Sequence, residues 1–360
     1  MTGEDYTSDS VTFKCPICGD QVTWTEDYAY EVWNGSEYVV LDPETIADPD
    51  KRNRILNDSR RRCPNPSQDT PVHRLPSRFG LYRNSIVIGL VGERRTGKSH
   101  LLAALISAIE HGELQPYGLT VVPMDYARHA DYLRDKADPL LKQGHKLPGT
   151  TEADSSDFTD SLLIRSPAGV VFPVTFFDLA GEKLTEGSKS SRLLLGANAL
   201  MFCVSPGPAL GVTDEEDEEG GRESSDRALN NILDRLNTGQ LVLDIPAAIV
   251  VTKSDRLRYQ PPVDRWIRRP GLNGWIDPAA ILEESRDAYA FLHSRGARAW
   301  LRPYGECRQC TLHFASATGS ENRQERFPGG VTPRRVLEPL IALLAMRGVF
   351  GEALAEEVGR

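Results

Sequence analysis

The sequence predicts an α/β protein: a doubly wound, mostly parallel sheet with flanking helices, preceded by a small loop-rich module of β type. Three observations carry that reading. The run SIVIGLVG (85–92) is continuously apolar and β-branched, as a parallel strand covered on both faces requires. A glycine-rich loop and the helical stretch HLLAALISAIEHG (100–112), closed by Gly112, follow it directly. Apolar runs then recur with helical segments between them, the alternation that builds such a sheet.

Taken in order, residues 1–80 are rich in Pro, Asp, Arg and Tyr and lack a helical apolar period, so they read as a module that needs a staple to fold. Residues 81–360 form the α/β domain. A strand at 118–124, a helix at 126–142 and a polar loop at 144–160 follow the first helix. Strands at 161–165 and 170–178 are joined by the turn SPAG, and strands at 199–205, 247–252 and 311–316 complete the sheet. Between 207 and 226 lies an acidic, Gly-rich insert that cannot bury apolar area and reads as disordered.

Composition narrows the class. Of the 360 residues, 40% are apolar and 26% charged, which excludes a collagen-like or wholly disordered chain; at about 150 residues per domain the length suits two domains. The net charge of −9 owes six units to consecutive acids at 214–219, so it describes one segment more than a surface. No stretch approaches the ~20 apolar residues of a membrane span, and the start MTGEDYTSDS has neither a basic nor an apolar leader region, so a cytoplasmic location is expected.

GERRTGKS (92–99) fits G-x-x-x-x-G-K-[ST] without mismatch, between a buried strand and a helix. Glycines let such a loop fold back so that several N–H groups face one point, and the helix N-terminus adds its dipole. A polyphosphate is the natural occupant. Gly92, Arg95, Thr96, Gly97, Lys98, Ser99 and His100 are the candidate contacts, with Lys98 on the β- and γ-phosphates and the Ser99 hydroxyl on Mg²⁺. DLAG (178–181) ends a strand in Asp178, a carboxylate suited to the Mg²⁺ neighbourhood, and brings the flexible Gly181. TKSD (252–255), directly after a strand, selects guanine: the Asp255 carboxylate can accept from N1 and N2 while the Lys253 stem covers the ring. SAT (316–318) places Ser316 and Ala317 where a backbone N–H can reach guanine O6.

With GERRTGKS, DLAG, TKSD and SAT in this order over about 85–351, the chain resembles the TRAFAC-class P-loop GTPases, of Ras-like fold. A leading CPICG fused to such a domain looks most like the bacterial double-GTPase group. The resemblance implies that Lys98 and Ser99 bind phosphate and Mg²⁺, Asp178 acts through the Mg²⁺ shell, and Gly181 senses the γ-phosphate. Lys253, Asp255 and Ala317 would hold guanine. It implies GTP hydrolysis to GDP and phosphate, a switch role in a conflict or signalling system, and a protein effector or partner GTPase.

Two departures bear on mechanism. Arg94 and Arg95 stand where Ras-like chains carry small residues, and Glu182 stands where many place a water-orienting Gln. A carboxylate beside the γ-phosphate repels charge, so slow intrinsic turnover is expected. A GTP-holding scaffold with little or no turnover is the alternative. The switch threonine that closes over Mg²⁺ is Thr151, with Thr150 and Thr159 as alternatives.

CPICG (15–19) is a zinc knuckle, since thiolates three residues apart can share one tetrahedral ion; Cys63 and His73 complete a Cys₃His set for structural Zn²⁺. The C-x-x-C-x-x-H of Cys307, Cys310 and His313 leaves open a second metal or buried thiols, and Cys203 reads as core. The basic run KRNRILNDSRRR (51–62) reads as a solvated loop rather than a nucleic-acid surface.

Overall fold

The computed structural model describes residues 10–25, 29–149 except 69, 83 and 94, 159–179, 194–207 except 195, 210, 229–236 except 231 and 235, and 242–359 except 270, 272 and 273. Of the expected functional segments, Arg94, Thr150, Thr151, Gly181, Glu182 and nearly all of 207–226 lie outside them.

The N-terminal region holds two small antiparallel sheets. Strands β1 (Ser10–Lys14) and β2 (Gln21–Thr25) form a hairpin, and β3 (Tyr30–Trp33), β4 (Tyr38–Leu41), β5 (Arg60–Arg62) and β6 (Arg74–Pro76) form a sheet of order β4-β3-β5-β6. Phe13 meets Trp24 and Phe79 edge-on, at 4.8 and 5.3 Å between ring centroids, the geometry that aromatic quadrupoles favour.

The basic run is not a solvated loop. Its first part is helix α1 (Pro49–Asn57), which Asp48 caps by accepting from Asp50 N and Lys51 N, with Pro49 at the first position. Its last three residues are β5, where Arg61 lies over Tyr30 at 4.2 Å and Arg60 pairs with Asp125 at 2.5 Å. Those contacts occupy Arg60 and Arg61 within the protein, whereas Lys51, Arg54 and Arg62 of the same run are exposed.

The α/β part is built on seven strands: β7 (Ile86–Val91), β8 (Thr120–Pro123), β9 (Asp160–Arg165), β10 (Val171–Asp178), β11 (Ala199–Val204), β12 (Ala247–Val251) and β13 (Cys310–Phe314). Their order is β13-β12-β11-β7-β10-β9-β8, and β9 alone runs antiparallel to its neighbours. This is a doubly wound, mostly parallel arrangement. The helices are α2 (Lys98–Glu110), α3 (Tyr126–Tyr132), α4 (Asp138–Leu141), α5 (Val263–Ile267), α6 (Pro278–Ser294), α7 (Arg302–Glu306), α8 (Glu338–Met346) and α9 (Glu352–Glu357). The single helix expected at 126–142 is instead α3 and α4 joined by a π-helical turn, Leu133–Ala137.

Alternation along the strands divides the interior. Ile86, Ile88 and Leu90 of β7 pack with Leu101, Leu105 and Leu344 on one face, while Val87 and Val91 face the other. Phe13, Cys15, Trp24 and Phe79 join that second core, so the N-terminal region covers part of the sheet. Because β7, β10, β12 and β13 are parallel, their C-terminal ends meet one edge, where open α/β sheets place their ligands.

Candidate functional site

At that edge the loop after β7 doubles back tightly. A Cβ on Gly92 would stand 2.3 Å from Cys203 O and 3.0 Å from Thr96 Oγ1, so only glycine lets the loop pass β11. Gly97 takes φ +87° where α2 begins, and Arg95 takes φ +62°. Lys98 Nζ donates to Gly92 O at 2.7 Å and Glu93 O at 2.8 Å, which folds the ammonium over the loop. Thr96 Oγ1 braces the turn by donating to Glu93 O at 2.8 Å.

Two sequence motifs separated by 79 residues then meet: Ser99 Oγ donates to Asp178 Oδ2 at 2.6 Å. A hydroxyl and a carboxylate in contact are hard oxygen donors of the kind that bind Mg²⁺. Thr159 belongs to the same knot, since its N–H donates to Phe176 O at 2.7 Å and its Oγ1 accepts from Asp178 N at 3.2 Å. It is the one switch-threonine candidate among the described residues.

The TKSD loop reaches the 92–97 loop directly, with Thr252 Oγ1 2.5 Å from Thr96 O. Lys253 takes φ +49° there, and Ser254 N donates to Ala315 O at 3.1 Å. Ser316 Oγ donates to Asp255 Oδ1 at 2.5 Å and accepts from Gly319 N at 2.8 Å, which fixes the carboxylate's rotamer. Ala317 follows in the same loop. Asp255 is thus held as an oriented acceptor, the chemistry that N1 and N2 of guanine require.

The His100 side chain meets the segment after α4. Its Nε2 accepts from Leu147 N at 3.2 Å, and burial, with the Lys253 and Lys146 cations, pulls its pKa down to about 4. The imidazole is therefore neutral near pH 7 and accepts from Leu147 N.

Sequence reading missed the support behind the 315–319 loop. Glu284 Oε2 pairs with His313 Nδ1 at 3.0 Å and Arg335 at 2.7 Å, and its Oε1 accepts from Phe314 N at 3.0 Å. Although burial opposes ionisation, His313 and Arg335 hold the Glu284 carboxyl below its ordinary range. Arg334, next to Arg335, forms an antiparallel bridge with Ser316, so this buried network underlies the SAT loop. The question left by C-x-x-C-x-x-H is answered in favour of thiols. His313 is committed to Glu284 and Thr311, while Cys310 and Cys307 are free and buried, with burial lifting Cys307 to about 12. Cys203 is likewise core.

The N-terminal set does converge. Ligand atoms of Cys15, Cys18, Cys63 and His73 lie within 4.8 Å of one another, the one such group of three or more among the described residues. Ile17 N donates to Cys15 Sγ and Asn65 N to Cys63 Sγ, each at 3.4 Å, so backbone amides are already aimed at the sulfurs. His73 Nδ1 lies 2.9 Å from Pro71 O, the tautomer that leaves Nε2 as a ligand, 3.3 Å from Cys15 Sγ. Hydrogen bonds from Cys15 and Cys18 pull Cys63 down to about 4, while Cys18 and Cys63 push Cys15 up. Three soft sulfurs and one imidazole nitrogen fit a tetrahedral Zn²⁺.

No family model matches the chain, and no curated protein matches it. Among solved structures that match is the septin GTPase domain from Chlamydomonas reinhardtii, with 13% identity, a TM-score of 0.34, and coverage of 77% of this chain and 94% of that one. At that identity and superposition, no residue of the septin domain is carried across.

Proposed function

We propose that the chain binds GTP with Mg²⁺, hydrolyses it slowly to GDP and phosphate, and acts as a nucleotide-dependent switch. The observation that supports this best is the convergence at one sheet edge of a phosphate loop, the Ser99–Asp178 contact and an Asp255 carboxylate oriented by Ser316. Lys98, lifted from Gly92 O and Glu93 O, would hold the β- and γ-phosphate oxygens. Ser99 and Asp178 would hold Mg²⁺, which when bound neutralises charge on those oxygens. Asp255 and Lys253 would select guanine over adenine, and the N–H of Ala317 would meet O6. Water attacks the γ-phosphorus in line; Glu182 as its orienter accounts for slow turnover. Gly181 and Thr151, or Thr150 or Thr159 in its place, would sense the γ-phosphate and pass its presence to residues 144–160 and 178–192.

The N-terminal Cys₃His set holds structural Zn²⁺ in this reading, and the partner is a protein that reads the GTP-bound shape. A place among the bacterial double-GTPase proteins of conflict or signalling systems belongs to the same proposal and rests on the CPICG-plus-GTPase architecture. No helix among the described residues is long and apolar enough to cross a membrane, and a cytoplasmic location is proposed with the rest.

Multiple-turnover phosphate release at saturating GTP tests the reaction. Wild type should release phosphate above the buffer rate and Lys98→Ala should not. Wild-type release at the buffer rate, with GTP bound, would overturn hydrolysis and leave the scaffold function.

A further inference from the structure

Polar contacts joined by helix α3 and by the start of β9 lie between the N-terminal region and the Ser99–Asp178 pair. Arg60 of β5 pairs with Asp125 at 2.5 Å, with both side chains largely buried. Asp125 also caps α3, accepting from Arg128 N at 3.0 Å, and Tyr126 N donates to Asp58 Oδ1 at 3.3 Å, so two bonds moor the start of α3 to the β5 region. One turn on, His129 Nδ1 lies 2.7 Å from Asp160 Oδ2 and its Nε2 lies 3.2 Å from Glu110 Oε2. His129 is 5% exposed and Asp160 1%, so neither has water as an alternative partner.

Asp160 opens β9, and its neighbour Thr159 touches Asp178 N through Oγ1; Asp178 in turn accepts from Ser99. The Asp160 side chain, together with the bond from Thr159 N to Phe176 O, therefore sets where the chain enters β9 and where the Thr159 hydroxyl stands. At the module's end of these contacts, β5 leads directly into Cys63, whose N–H donates to His73 O at 3.1 Å within the Cys₃His cluster. The cluster has a second contact with the α/β part: a Cβ on Gly196 would stand 2.7 Å from Pro16 O, so the knuckle lies against the backbone that precedes β11.

We propose that His129 and Asp160 are positioning residues for the Asp178–Ser99 magnesium site, and that Asp125 and Arg60 tie this site to the N-terminal metal cluster. The proposal rests on the nucleotide reading above and extends it. Loss of the cluster's metal frees β5, loosens the mooring of α3, and weakens the hold on Mg²⁺ with little change at the guanine loop. The chain would then be a nucleotide switch whose magnesium affinity answers to the metal state of its own N-terminal module.

The test is the Mg²⁺ dependence of fluorescent GDP release from full-length, zinc-loaded protein, alongside GDP affinity at saturating Mg²⁺. Asp160→Asn and His129→Gln should raise the Mg²⁺ half-point by about three-fold or more, as coupled members of one buried network do, while GDP affinity at saturating Mg²⁺ stays within about two-fold. Arg60→Met lies outside the buried His129–Asp160 pair and keeps the zinc ligands. It should raise the half-point in loaded protein, and a zinc-selective chelator should then add nothing further, although the chelator shifts wild type. Equal chelator shifts in wild type and Arg60→Met would overturn the link. Unchanged half-points in Asp160→Asn and His129→Gln with wild-type GDP affinity would overturn the positioning role alone. Wild type that binds no guanine nucleotide would overturn both this inference and the proposed function.

Discussion

Ser316→Ala isolates the part of the site that chooses the base. Ser316 Oγ donates to Asp255 Oδ1 at 2.5 Å, and both residues are buried. Removing the hydroxyl leaves the Asp255 carboxylate intact but lets its rotamer relax before the base arrives. Re-immobilising one such side chain on binding costs about 0.5–1.5 kcal/mol, or roughly two- to thirteen-fold in affinity. Gly319 N, which donates to the same oxygen at 2.8 Å, loses its acceptor too and pushes in the same direction. The assay is calorimetric titration of GDP and of inosine diphosphate, which lacks the 2-amino donor. GDP affinity should fall by that factor and the preference for GDP over inosine diphosphate should narrow. A folded Ser316→Ala variant with unchanged GDP affinity and unchanged preference would refute the view that Ser316 orients Asp255.

Three further outcomes follow from the same geometry. Purified protein should carry one zinc per chain by elemental analysis, and Cys63→Ser should lose it and lower the melting temperature, because structural zinc sites bind with about 10–16 kcal/mol of apparent free energy near neutral pH; zinc-free wild type with the melting temperature of Cys63→Ser would count against the cluster. His100 has a folded pKa of about 4 against about 6.5 unfolded, so the unfolded chain takes up the proton first. Its contribution is therefore fully present above pH 6.5 and is lost as pH falls towards 4, on the order of 3 kcal/mol in all. His100→Gln keeps an acceptor for Leu147 N without a proton to gain, so urea denaturation at pH 7 and pH 5 should show a smaller loss than in wild type, and parallel losses would contradict the assignment. Gly92→Ala forces a Cβ to within 2.3 Å of Cys203 O. Overpacking of that kind costs about 1–3 kcal/mol and displaces the loop, so GTP binding by filter assay should fall at least about ten-fold; retained affinity would mean the loop is not the phosphate cradle.

The phosphate loop and the sheet were legible because their physics is local. A buried parallel strand needs an uninterrupted apolar run, and a backbone anion cradle needs glycines at set spacing, so 85–99 declares itself. TKSD and SAT sit at strand ends for the same reason, and the spacing in CPICG already brings two candidate ligands together. The partners Cys63 and His73 were reachable because few other ligands occur nearby. Contacts between distant segments were not legible. The mooring of Arg60 on Asp125, the His129–Asp160 pair and the Glu284–His313–Arg335 network join residues far apart in sequence, and an isolated His, Asp or Glu carries no mark of its partner. The run 51–62 was misread because its charge obscured the Asp48-Pro49 cap signal, and because stacking of Arg61 on Tyr30 depends on the β3–β5 pairing.

The central claim is that this chain holds guanine through Asp255. Titration of wild type and Asp255→Asn with GTP, XTP and ATP in the presence of Mg²⁺ tests it most directly, since the amide swaps one acceptor oxygen for a donor and so matches the carbonyl that xanthine carries in place of the 2-amino group. Wild type should prefer GTP, and Asp255→Asn should lose GTP and gain XTP. Wild type that binds ATP as well as GTP, or a variant whose preference for GTP over XTP is unchanged, would contradict the account.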